Sequence, residues 1–143
     1  DNEVETMILH ELGEAMAGEA LGERWGEMAL SLSRTPGEPV ARAVRDLLAD
    51  CLSTLPGLLG RANVPALHFY FATFDAPRRQ LFPQAVEAYE RALRDGDFAP
   101  LWRVVEEGKA RWLEAARGLL GLSPQARQAA LQGLLQPSAR PAS

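Results

Sequence analysis

The residues best suited to chemistry stand together near the start of the chain: His10, Glu11, Leu12, Gly13 and Glu14. In an H-E-x-x-H zinc-protease helix, two histidines one turn apart bind the metal and the glutamate after the first acts as base. Here Glu14 occupies the second histidine position. The spacing still sets an imidazole and a carboxylate on one helix face, with Glu11 as the candidate catalytic base. The competing expectation is an i,i+4 ion pair on the surface.

Which of the two holds depends on the helix that carries them. Apolar periodicity predicts a first helix from about Glu3 to about Ser33. Its early apolar row is Val4, Ile8, Leu12, Ala15 and Met16, and its later one is Leu21, Trp25, Met28 and Leu32. Drawn backwards from Trp25, the later row passes through Leu21 and Gly18 or Ala17 to Glu14 and His10, which puts the pair at a buried seam. If the early row is the core face, the pair faces solvent. Gly18, Gly22 and Gly26 lie four apart where the face changes. Each costs about 1 kcal/mol relative to Ala in a helix. They predict either a break or the close approach of another helix, within the chain or across a dimer.

His68 is the other histidine, and it lies in the most apolar segment, Ala66 to Phe74. Asn63 as N-cap and Pro65 in the first turn predict a short, buried helix there. A buried imidazole needs a partner, for which Glu14, Tyr70, Asp50 or a backbone carbonyl would serve. The sharper expectation joins His68 to His10 and Glu14 in a two-histidine, one-carboxylate metal site suited to Fe or Zn. A di-iron bundle site would need Glu-x-x-His motifs, which the chain lacks. Asp46, Glu87, Glu90, Glu106 and Glu107 fall off their apolar rows, and only Asp50 borders one. Arg78 and Arg79 read as a solvated helix start. The aromatic run Phe69 to Phe74 also suits an apolar small molecule held between helices.

The remaining elements are helical too. A second helix runs from about Glu38 to Leu59, with Val40, Val44, Leu47, Leu48, Cys51, Leu52 and Leu55 as its stripe. A fourth runs from Asp75 to Arg94, with Pro83 able to delay its start. A fifth, capped by Asp97, carries the seam Leu101, Val105, Gly108, Trp112, Ala116 and Leu119, and a sixth runs from Ser123 to near Gln136. The segment Phe82 to Leu93 resembles the second helix of a tetratricopeptide repeat. No counterpart stands at the repeat offset, so no solenoid is expected. The expected fold is a single all-α domain over residues 1–136, an irregular bundle of five to seven helices around a buried central helix at His68, followed by a flexible tail over residues 137–143.

The totals narrow the function. With 143 residues, 47% hydrophobic and 24% charged content, the chain is long enough for a packed core. Its net charge of −4, without a basic stripe, argues against nucleic acid and against an anionic membrane surface. Cys51 is the single cysteine, which excludes an intrachain disulfide and suits a reducing, cytoplasmic compartment. The leading expectation is a non-catalytic helical protein-interaction domain that self-associates as a homo-oligomer, without a cofactor. The alternative is a metal-dependent enzyme or metal sensor that uses His10, Glu14 and His68 with Zn or Fe.

Overall fold

Residues 1–136 are described by a computed structural model, and the expected tail, 137–143, lies outside them. The elements in chain order are α1 (Asn2–Leu21), α2 (Glu23–Ser31), α3 (Gly37–Ala49), a π-helical turn (Asp50–Thr54), α4 (Leu55–Gly60), α5 (Val64–Ala72), α6 (Ala76–Leu81), α7 (Pro83–Asp95), α8 (Ala99–Leu120) and α9 (Pro124–Leu134). The protein is an all-α bundle. Because α3 and α4 run on through the π turn, the described residues form eight rods, one more than expected. No helix among them is long and apolar enough to cross a membrane.

The caps follow the local chemistry. Asn63 accepts from the Ala66 amide, Asp75 from Arg78 and Ser123 from Ala126, each with proline in the first turn. Gly22, at φ 76°, divides the expected first helix into α1 and α2. A left-handed Gly96 ends α7.

The rod formed by α3, the π turn and α4 lies at the centre, with α1 packed against α3 and the π turn and α8 against another side of α3. Its stripe is buried as expected at Val40, Val44, Leu47, Leu48, Cys51 and Leu55, and so are Leu101, Val105, Trp112, Ala116 and Leu119 of α8. Leu52 is only partly buried. The π turn inserts a residue into the helical register at this point, where Asp50 is fully buried and Leu52 is turned partly outward.

Two expectations about faces are corrected. α1 buries Thr6, Leu9, Gly13, Ala17 and Leu21, whereas Val4, Ile8, Leu12 and Met16 are exposed. The buried face is the one with the smallest residues. A Cβ on Gly13 would stand 2.5 Å from the Ala49 carbonyl oxygen, so the backbones of α1 and the central rod approach at a point only glycine allows. An added Cβ on Gly18, Gly22 or Gly26 would meet nothing within 4 Å, so the expected break falls at Gly22 and the close approach within the chain is made by Gly13 instead. In α5, Ala66, Leu67, Tyr70 and Phe71 point inward while His68 is exposed. The helix lies on the bundle's side with one wet face, and His68 falls on it.

Candidate functional site

The close contact of α1 with the central rod positions a polar cluster. Gly13 sits against Ala49, and the Ser53 hydroxyl donates to the Leu9 carbonyl at 2.7 Å, so α1 is pinned to the π turn. His10, one turn before Gly13, and Glu14, next to it, stand half-buried on the inward row drawn back from Trp25, with His10 Nε2 2.9 Å from Glu14 Oε1. On the opposing rod, Asp46 and Asp50 lie one turn apart.

Asp50 is the hub. Its carboxylate is fully buried, at 0% exposure, and four side chains surround it. The Tyr70 hydroxyl donates to Oδ2 at 2.6 Å, Arg78 Nη1 lies 2.8 Å from the same oxygen, and the Thr54 hydroxyl lies 3.4 Å from Oδ1. His10 Nδ1 approaches Oδ1 at 3.5 Å. The Arg78 guanidinium also contacts Asp75 and the Thr73 carbonyl, and it stacks over Phe74. A buried carboxylate is tolerated when its lone pairs are taken up in this way.

The electrostatics follow from these contacts. Hydrogen bonding to Asp50 raises the His10 pKa above its ordinary value, against the opposing effect of burial. Burial raises the Asp46 carboxyl, partly offset by Arg45. Tyr70 is pushed well up by burial and by the Asp50 charge, so it remains a donor. A cavity of about 310 Å³ opens at the cluster, and His10, Glu11, Asp50, Tyr70 and Arg78 are in its wall.

His10 and Glu14 therefore meet as expected, while His68 does not join them. Its Nδ1 lies 2.9 Å from the Tyr89 hydroxyl, on the exposed side of α5. The third ligand-type group beside His10 and Glu14 is Asp46, with one ligand atom from each residue all within 4.8 Å of one another. Glu11 is exposed at the cavity wall. Cys51 is buried, and burial raises its thiol pKa far above the ordinary range. Asp46 lies off the apolar row and Arg78 stands at a helix start, where arginines are commonly solvated, so neither stands out on periodicity alone. The signal for Asp46 was available: it stands four residues before Asp50, a spacing that matches His10 and Glu14 on α1.

This arrangement extends over a chain that matches the C-terminal domain of a family of unknown function, DUF6866, along residues 1–138. The chain belongs to the DUF6866 family. No curated protein and no solved structure matches it. The α1 cluster and its π turn thus lie inside the matched region of this DUF6866 domain.

Proposed function

We propose that this domain is a helical protein-interaction module that docks a partner through the outer face of α1. The observation that supports it is a continuous apolar row on that face: Val4 is 51% exposed, Ile8 60%, Leu12 53% and Met16 38%, with Met7 beside them at 55%. Single exposed hydrophobes are ordinary, but a row along four turns is the pattern of a helix-binding surface. Covering it contributes about 1 kcal/mol per half-exposed side chain.

The rim of this face selects the partner. Glu3, Glu11 and Glu19 are exposed on α1 and the helix itself carries no Lys or Arg; the nearby cation, Arg61 beside Val4 and Ile8, is paired with Glu5. A second copy laid on the same face sets carboxylates against carboxylates, which makes self-association through α1 the weaker form of this reading. The complementary occupant is an amphipathic helix with apolar anchors one turn apart and basic flanks. The match to a C-terminal domain makes another part of the same polypeptide a natural source of one.

A synthetic Leu/Lys amphipathic helix, titrated by fluorescence anisotropy, tests the reading. Binding in the micromolar range is expected, and an Ile8→Ser, Leu12→Ser variant, unchanged in charge, should lose it. Binding that survives in this variant comes from charge alone and overturns the proposal. Light scattering of the same pair of proteins checks self-association. A dimer dissolved by the two serines would make a second copy the occupant.

A further inference from the structure

We propose that His10, Glu14 and Asp46 form a site for one first-row divalent cation, with Asp50 holding the His10 ring in register. The site lies on the inward edge of α1, and it draws on residues that the docking face does not use.

The first support is geometric. One ring nitrogen of His10 and a carboxylate oxygen from each of Glu14 and Asp46 lie within 4.8 Å of one another, and Nε2 is the nitrogen 2.9 Å from Glu14. Atoms bound to one ion at about 2.1 Å stand about 3 Å apart, so small side-chain rotations close the set. Glu14 is 40% exposed and Asp46 20%, so both side chains have room to turn once Arg45 yields. The backbones beneath cannot drift, because Gly13 is seated on Ala49 and Ser53 is bonded to Leu9.

The second support is the other side of the imidazole. A metal-binding histidine characteristically directs its second ring nitrogen to a carboxylate, which sets the tautomer and the ring angle. Asp50 Oδ1 lies 3.5 Å from His10 Nδ1, and Asp50 is itself held by Tyr70, Thr54 and Arg78. The extra residue of the π turn belongs to the segment that begins at Asp50. With the buried carboxylate beside Nδ1, Nε2 is the nitrogen that faces Glu14.

The donor set names the ion class. One imidazole with two carboxylates lacks the thiolates that soft ions prefer, and its nitrogen distinguishes it from the all-oxygen sets of Mg²⁺ and Ca²⁺. Mn²⁺, Fe²⁺, Co²⁺ and Zn²⁺ remain. Arg45 is the competing cation: its Nη2 lies 3.6 Å from Glu14 and 3.2 Å from Asp46. At 32% exposure it can swing into solvent when an ion enters.

The test uses the whole chain, without a histidine tag and stripped by chelator, titrated with Zn²⁺ and with Mn²⁺ by calorimetry and native mass spectrometry. One ion per chain is expected. His10→Ala and Glu14→Gln should abolish binding, and Asp50→Asn should weaken it by about tenfold to a hundredfold at unchanged stoichiometry. Arg45→Gln should tighten it, and His68→Gln should leave it unchanged. Helical circular dichroism in chelator confirms that each variant is folded, and the partly exposed Glu14 makes Glu14→Gln the gentlest of them. Absence of binding to the unaltered chain, or equal binding by folded His10→Ala or Glu14→Gln protein, overturns the proposal. So does loss of binding in His68→Gln.

Discussion

Removing Arg78 tests the account of Asp50 most directly. In Arg78→Met the stem is kept and the guanidinium is lost from a carboxylate at 0% exposure and 2.8 Å from Nη1. Two unit charges about 4 Å apart attract by about 4 kcal/mol at an effective dielectric of about 20. Breaking a buried pair from one side costs about 3–5 kcal/mol, because the remaining charge stays desolvated. Tyr70, Thr54 and His10 still face Asp50, which places the expected loss near 3 kcal/mol. Asp50→Asn should be milder, about 1.5–3 kcal/mol, the range for a hydrogen bond to a charged group. Arg78 then keeps Asp75 and the Thr73 carbonyl as partners for its guanidinium. The decisive comparison is the double variant. Adding Asp50→Asn to Arg78→Met removes the stranded charge and should recover at least about 1 kcal/mol. Urea unfolding followed by helical circular dichroism, in chelator and at neutral pH, measures all four proteins. If the double variant is less stable than Arg78→Met, Asp50 is not a buried charge held by Arg78 and the reasoning fails.

Two glycine substitutions should move stability in opposite directions. Gly13→Ala gains about 1 kcal/mol of helix propensity but forces a methyl against the Ala49 carbonyl, an overpacking cost of about 1–3 kcal/mol, for a net loss. Gly18→Ala meets nothing and should gain about 0.5–1 kcal/mol, so thermal melts in which both rise would contradict the close approach. The Cys51 thiol, buried and with its pKa driven up by desolvation, should resist a disulfide reagent at mildly alkaline pH until urea unfolds the chain. Fast labelling of native protein would refute its burial. His68→Gln loses one partly exposed hydrogen bond to Tyr89 and should cost less than about 1 kcal/mol. Its coupling to Glu14→Gln in a double-mutant cycle should be near zero, and a coupling of 1 kcal/mol or more would restore His68 to the cluster.

Much of the architecture was legible residue by residue. The stripe from Val40 to Leu55 and the seam from Leu101 to Leu119 repeat at helical spacing, and the caps at Asn63, Asp75 and Ser123 are local bonds that need no tertiary partner. What periodicity does not report is which side of a helix wins when two sides compete. In α1 the more hydrophobic row, Val4 to Met16, faces outward. The row built on Gly13 and Ala17 faces inward because the closest backbone approach requires small side chains, and that approach is a property of the second helix as much as of the first. His68 shows the same limit, since an apolar neighbourhood in sequence still wraps around a helix and leaves one direction wet.

For the polar cluster, the sequence by itself determined the pair His10 and Glu14, one helical turn apart, since that spacing fixes which side chains share a face; it marked Asp50 as the carboxylate bordering a core stripe and gave Asp46 no part. Only the tertiary structure decided that Asp46 and Asp50 stand opposite that pair, and that Arg78 and Tyr70, from elements later in the chain, converge on Asp50. The physical reason lies in the π turn and in Gly13. One inserted residue turns the side chains that follow it relative to those before it, and one missing side chain sets how near the helices come. Both effects act between elements, where no spacing along a single strip of sequence records them.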